Sequence, residues 1–157
     1  MDFQFTGLPK GDFTHLFALS DEELRRHHAR RVVADAPHAF PCRISLADAE
    51  PGDEVILAHY EHLPANSPFR SSHAVYVRRD ASEWCPRVGE VPDQLRRRML
   101  SLRGFDREDM MRTADLIDGR EVERLIETML ADPDIVYVHA HYAKQGCFAA
   151  RIDRVAA

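Results

Sequence analysis

Hydrophobic and polar positions alternate along several short stretches of the chain, which is the pattern of half-buried β-strands. Residues 2–6, DFQFT, show it first, and Gly7, Pro9 and Gly11 then interrupt it. The run 55–60, VILAHY, is apolar at almost every position, which predicts a strand at the centre of a sheet. Further strands are predicted at 30–35, 42–46, 73–77 and 109–117.

Three stretches instead have helical signals. Ser20 and Glu23 are spaced as a capping box, which predicts a short helix through about His27. The segment 91–102, VPDQLRRRMLSL, has a proline in its first turn and apolar residues along one side. After Asp118, apolar residues recur at helical spacing through Leu130, and this pattern is the strongest helical signal in the chain.

The C-terminal stretch 136–153, VYVHAHYAKQGCFAARID, predicts an antiparallel hairpin, because two β-rich runs flank a turn that contains glycine. With the other elements, this hairpin indicates an α+β fold: a single domain over 1–157 with a mostly antiparallel sheet. Two or three helices are expected to pack on one face of the sheet.

Side chains alternate between the two faces of a strand, so His139 and His141 are expected on one face. The turn decides where Cys147 points. A three-residue loop ending at Gly146 would place Ala143 opposite Cys147, and the thiol would then share the face of His141. A two-residue loop would place Cys147 on the opposite face. Glycine at the last loop position favours the shared face.

A shared face allows two kinds of chemistry. His139, His141 and Cys147 would supply three ligands for zinc or another divalent ion, and Cys42 could complete the set. Alternatively, a histidine would act as base for Cys147 as a nucleophile. Ordinary core packing of these side chains is the third interpretation.

A second group of polar residues lies where a loop enters a predicted strand. Arg70, Ser72 and His73 occupy the kind of position at which binding residues are often found. An arginine there is suited to a carboxylate or phosphate, and Arg43 is a further candidate for the same role. The competing interpretations are a surface ion pair for Arg70 and a core position for His73.

Composition narrows the classes of partner. The chain has 157 residues with a formal net charge of −5, which argues against a broad contact with nucleic acid phosphates. It lacks an apolar run long enough to cross a bilayer and a secretory leader, so we expect a cytoplasmic protein without a membrane partner. Three cysteines are too few and too widely spaced for a disulfide framework. Oligomeric state stays open.

Three segments together carry a resemblance to a known family. They are FPCRISLADAEPGDEVIL, SPFRSSHAVYV and HAHYAKQGCFAARID, in this order. They resemble the bacterial family catalogued as domain of unknown function 1203, over nearly the whole chain. The resemblance implies a small soluble protein and supplies no catalytic residues.

The sequence thus leads to a hypothesis of a small-molecule site. Arg43 and Arg70 would recognise an anionic group, and Cys147 with His141 or His139 would form the reactive or ligating centre. The alternative is a binding or regulatory domain without catalysis, and the sequence leaves open whether the protein is an enzyme.

Overall fold

The alternating stretches form two antiparallel sheets. The computed structural model describes residues 2–155. The strands described are β1 (Phe3–Thr6), β2 (Ala29–Val33), β3 (Glu54–Leu63), β4 (Ser71–Arg78), β5 (Met99–Phe105), β6 (Met111–Asp118), β7 (Tyr137–Tyr142) and β8 (Phe148–Arg154). The α-helices are α1 (Asp21–Arg26), α2 (Asp93–Arg96) and α3 (Val122–Leu130). Short 3-10 helices lie at Lys10–Asp12, Thr14–Ala18 and Gly119–Glu121.

The larger sheet has five strands in the order β1-β8-β7-β5-β6, and the smaller has three in the order β2-β3-β4. The C-terminal hairpin β7-β8 lies inside the larger sheet, and every residue of β7 is buried. Phe148 of β8 packs in one apolar cluster with Ile56 and Val75 of the smaller sheet, so the two sheets share a core. The α+β class, the antiparallel strands and the terminal hairpin are as predicted.

Two helices follow their local signals. Ser20 accepts a hydrogen bond from the Glu23 backbone and the Glu23 side chain accepts one from the Ser20 backbone, so the capping box is present. The α3 helix buries Val122, Ile126 and Leu130 against the larger sheet. Asp118 caps the preceding 3-10 turn through the Arg120 backbone, one turn before α3 begins.

Two sequence predictions were wrong. The segment 91–102 is a helix only at Asp93–Arg96, and β5 then begins at Met99, because Leu100 and Leu102 alternate into the core between two neighbouring strands. The segment 42–46 is not a strand. Cys42 makes one isolated bridge to Tyr76, and the chain then turns, so that the Cys42 N–H donates to the Ala47 carbonyl.

The helices within residues 2–155 are not of the kind that crosses a membrane. None of the helices there has the length and apolar content needed to cross a bilayer.

Candidate functional site

A bulge in the C-terminal hairpin decides where the thiol lies. Ala140 pairs with Ala150 but His141 pairs with Phe148, so Ala149 is an extra residue in β8. Beyond the bulge, the Tyr142 N–H donates to the Cys147 carbonyl across a four-residue loop. Gly146 does adopt a positive φ of 77°, as expected. The predicted pairing of Ala143 with Cys147 was nevertheless wrong.

Cys147 consequently lies on the face of Tyr142, opposite His139 and His141. Its side chain packs with Tyr142 and Ala140 in the core of the larger sheet. The ring of Phe148 contacts both histidines on the other face. The thiol and the imidazoles, which were expected to lie side by side, therefore lie on opposite faces of the hairpin.

The partner of the thiol is Arg43. Its guanidinium Nη2 donates to Cys147 Sγ over 2.9 Å, Nε donates to the Phe148 carbonyl over 2.8 Å and Nη1 to the Pro41 carbonyl over 2.6 Å. The Arg43 residue is only 1% exposed. Its backbone is fixed by the Arg43 N–H to Tyr76 carbonyl bond, which ties the turn after Cys42 to β4.

Arg43 has no acidic partner within the described part of the chain, where no carboxylate oxygen lies within 4.0 Å of its nitrogens. A buried cation without a counter-charge is costly. The sulfur of Cys147 is the only side-chain atom among the described residues that accepts a hydrogen bond from this guanidinium.

Arg43 and Cys147 line a pocket of about 460 Å³, to which residues of both sheets contribute. His38, His73 and Arg98 line it too, and its lining contains no aspartate or glutamate. The wall is completed by Ala39, Pro41, Leu57, Ala74, Tyr76, Tyr142 and Gln145. We call this space the thiol pocket.

Tyr142 forms a rigid floor of the thiol pocket. The guanidinium carbons of Arg43 and Arg98 lie 4.9 Å and 5.1 Å from the centre of its ring, which are cation–π distances. Its hydroxyl donates to Gln94 Oε1 over 2.5 Å, and Gln94 Nε2 donates to the Cys42 carbonyl. Burial raises the pKa of Tyr142, so the hydroxyl stays a donor.

Arg98 is held at the pocket by a neutralising partner. It pairs with Asp48 over 2.8 Å and donates to the carbonyls of His38 and Gln94. The same carboxylate contacts His38 Nδ1 over 3.0 Å. These contacts fix the positions of the Arg98 and His38 side chains.

His73 is the one predicted histidine that reaches the thiol pocket. Its Nδ1 lies 3.2 Å from the Ala74 carbonyl, which can only accept a hydrogen bond. The neutral ring therefore carries its hydrogen on Nδ1, and Nε2 is the nitrogen able to accept a proton.

Other predicted residues lie elsewhere. Arg70 is exposed and forms a two-point ion pair with Glu61, and Ser72 is exposed on β4 opposite Glu61. Cys42 is fully buried, with its sulfur accepting the Arg78 N–H. The arrangement brings together Arg43, His73 and Cys147 out of the predicted set.

His139 and His141 instead join a third histidine, His62 of β3. Ring centres lie 5.2 Å apart for His62 and His141, and 6.1 Å apart for His62 and His139. Burial is the main reason that the pKa falls to about 2 for His139, about 3 for His141 and about 4 for His62. Positive charge on Arg103 adds to each effect. All three rings are therefore neutral near pH 7.

These histidines are incompletely hydrogen-bonded. His141 Nδ1 lies 3.0 Å from the Gly146 carbonyl, but Nδ1 of His139 and of His62 has no hydrogen-bond partner among residues 2–155. His62 and His139 line a separate cavity of about 320 Å³. Across the described residues, no three His, Cys, Asp or Glu side chains are arranged to hold a metal ion. The predicted zinc ligands are thus not gathered in one place.

Sequence reasoning missed Arg98, Tyr142 and His38. Arg98 belongs to the run Arg96–Arg98, which reads as a solvated helix face when 91–102 is taken as a helix. A signal for Tyr142 was present, since it alternates with His141 and so had to lie on the other hairpin face.

The comparisons agree with the resemblance of the three segments. The model of the family described as "Protein of unknown function (DUF1203)" matches residues 39–154, which include every residue named in the thiol pocket except His38. No curated protein and no solved structure matches the chain. Because the match covers well over half of its length, the chain belongs to the DUF1203 family.

Proposed function

We propose that the thiol pocket binds a small anionic molecule and that Cys147 acts on it as a thiolate nucleophile in acyl or group transfer. The observation that carries this proposal is the buried guanidinium of Arg43, which donates to Sγ over 2.9 Å and has no carboxylate partner within residues 2–155. The pair has the features expected of an activated cysteine: a cationic neighbour and an adjoining pocket.

Recognition of an anion follows from the lining. Two arginines and two histidines surround the space without an acidic side chain in its wall, although the chain as a whole is acidic. A guanidinium has five N–H donors, and three of those on Arg43 have partners in the described residues. The two remaining donors of Arg43 are suited to a carboxylate or phosphate, and Arg98 can add its Nε–H, since its Nη1 and Nη2 already donate to Asp48, Gln94 and His38.

His73 is the proposed base. In the first step its Nε2 accepts the proton of the Cys147 thiol, Sγ forms a bond to the electrophilic atom of the substrate, and the leaving group departs with the bonding electrons. In the second step Nε2 accepts a proton from the attacking water, which forms a bond to the same atom, and Sγ departs with the electrons of the bond that breaks. This role replaces the one first expected for His139 and His141, which lie on the other face of the hairpin.

The second candidate is a binding domain without catalysis. The low exposure of Cys147, 7%, favours it, because a nucleophile must meet its substrate. In that case Arg43 and Arg98 recognise the same class of anion and the sulfur only completes the hydrogen bonds of Arg43.

Alkylation of the folded protein separates the two candidates. Cys147 and the exposed Cys85 are followed in the same sample by peptide-resolved mass spectrometry, with neutral iodoacetamide and anionic iodoacetate. We expect the ratio of iodoacetate to iodoacetamide rates to be about tenfold higher at Cys147 than at Cys85, since a cationic pocket concentrates anions.

Two variants sharpen the result. Arg43→Lys keeps the charge but loses the planar set of donors, so the preference for iodoacetate should fall while a folded protein is retained. Arg70→Gln, outside the pocket, is the matched control and should leave the ratio unchanged. Failure of Cys147 to react under native conditions would refute the nucleophile, and an unchanged ratio in Arg43→Lys would refute anion recognition by Arg43.

A further inference from the structure

The thiol pocket is next to a second cavity and shares two lining residues with it. Leu57 of β3 and Ala74 of β4 line both spaces, and the second cavity has a volume of about 640 Å³. The second cavity lies over the face of the smaller sheet and the end of α1, where Arg25, His28, Arg30 and His59 surround it. The two spaces are therefore adjacent parts of one groove, which we call the sheet groove.

Strand register gives the length of the sheet groove. Arg30 pairs with Leu57, Leu57 pairs with Tyr76, and Tyr76 bridges Cys42, which precedes Arg43. Three steps between neighbouring strands amount to ~14 Å, at ~4.8 Å per step. Arg30 and the Cys42–Arg43 segment thus lie at opposite ends of a path that crosses the sheet.

Basic side chains line the groove along this whole path, and Asp48, which is outside the lining, pairs with two of them, Arg98 and His38. The two cavities of the groove are lined by four arginines and four histidines and by no aspartate or glutamate. They are Arg25, Arg30, Arg43, Arg98, His28, His38, His59 and His73. This lining has no carboxylate although acidic side chains outnumber basic ones in the chain, 26 to 21.

The outer arginines contrast with their neighbours in sequence. Arg26 pairs with Glu22, and Arg31 pairs with Glu54 and Asp21. Within the part of the chain that the structure describes, no carboxylate oxygen lies within 4.0 Å of the guanidinium of Arg25 or Arg30. Within residues 2–155, Arg30 donates only to the carbonyl of the adjacent Ala29. Both arginines line the outer cavity.

We infer that the ligand of the thiol pocket is an elongated molecule with two anionic groups, one held at Arg43 and Arg98 and the other at Arg25 and Arg30. This inference rests on the proposed function, because it assigns the first anion to the thiol pocket. The chemistry shared by its candidates is a carboxylate or phosphate at each end of a chain that spans the sheet groove.

Calorimetric titration of the folded protein tests the inference without relying on thiol reactivity. The probes are straight-chain dicarboxylates from succinate to dodecanedioate, each compared with its own monomethyl ester, which has almost the same length but one anion fewer. Alkane diphosphates and monophosphates form a parallel series. We expect dianions long enough to span the groove to bind at least about tenfold more tightly than their monoanions, and succinate to show no such gain.

Variants locate the second contact. Arg30→Gln should reduce the affinity for a long dianion to that of the monoanion and leave monoanion binding unchanged. Arg26→Gln, on the same helix as Arg25 but paired with Glu22, is the matched control and should change neither affinity.

The outcomes distinguish the two proposals. Equal affinities for dianions and monoanions, with monoanion binding weakened by Arg43→Lys, would overturn the two-ended ligand and leave the thiol pocket standing. Monoanion binding unaffected by Arg43→Lys would overturn the thiol pocket as the anion site and the inference with it. Absence of saturable binding in both probe series would count against both.

Discussion

The buried histidine cluster predicts steep loss of stability between pH 6.5 and about 4. His62, His139 and His141 have folded pKa values of about 4, 2 and 3, whereas an unfolded histidine titrates near its ordinary value of 6.5. Above pH 6.5 both states are neutral at these positions. Below it, the unfolded chain binds protons that the folded protein does not, so acid favours unfolding.

The size of the effect follows from the same shifts. Each unit of pH below 6.5 costs about 1.4 kcal/mol for each histidine until its folded pKa is reached. At pH 5 His139 and His141 together cost on the order of 4 kcal/mol, and the less buried His62 adds a smaller amount because solvent screens it, so the total approaches the whole free energy of unfolding of many domains. Glu54, whose pKa is lowered by Arg79 and Arg31, loses stabilisation only below its ordinary value of 4.5, so the histidines dominate above that pH.

His139→Phe isolates one member of the cluster. An aromatic ring of similar size suits a site already lined by Phe105, Tyr137 and Phe148, and it removes a buried nitrogen without a partner among the described residues. The variant should be about as stable as the parent at pH 8. Its free energy of unfolding should fall less steeply below pH 6.5, by about 1.4 kcal/mol per pH unit.

Urea unfolding followed by circular dichroism at pH 8, 7, 6, 5.5 and 5 measures both slopes. His15→Phe is the control, because His15 is exposed. Parallel pH profiles for His139→Phe and the parent would refute the assignment of acid sensitivity to this cluster.

Three further changes have defined outcomes in urea unfolding. Tyr142→Phe leaves the buried Gln94 Oε1 without its donor and should cost about 1–3 kcal/mol, whereas Tyr60→Phe, whose hydroxyl binds the exposed Asp12, should cost less. An equal cost for both variants would contradict a special contribution of the buried bond between Tyr142 and Gln94. Gly119→Ala places a Cβ 2.0 Å from the Leu95 carbonyl oxygen and should cost about 3 kcal/mol or more, while Gly11→Ala meets nothing within 4 Å. A neutral Gly119→Ala would show that α2 can shift freely. Gly146→Ala should cost about 1 kcal/mol because its φ is 77°, and an unchanged stability would mean that the loop adopts another conformation.

Local signals in the sequence were sufficient for several elements. The Ser20 capping box, the apolar run of β3 and the helical spacing after Val122 each carry their own physical cause within a few residues. The terminal hairpin was predictable for the same reason, since its strands are adjacent in sequence.

Other elements depend on contacts with distant residues. The stretch 99–105 has apolar residues at both helical and strand spacing, and only its position between β6 and β7 selects the strand. The stretch 42–46 has β-branched and apolar residues, but within residues 2–155 its backbone bonds to Leu8, Tyr76 and Trp84 do not form a ladder with one strand, and it turns after a single bridge to Tyr76.

The candidate site was predicted in part. Arg43, His73 and Cys147 were identified by residue type, and they line one pocket. The face on which Cys147 lies could not be read from the sequence, because two small neighbouring residues, Ala149 and Ala150, give no sign of which one is unpaired. Arg98 was hidden by the wrong helix assignment.

The bulge at Ala149 has a consequence for variation within the family. If Ala149 paired with His141 and no bulge formed, Ala143 would stand opposite Cys147, and the sulfur would turn from the guanidinium of Arg43 toward the imidazole of His141. A relative of the same length but without the bulge would thus keep every side chain of the motif and exchange its chemistry. In comparing members, the pairing register of this hairpin is as informative as residue identity.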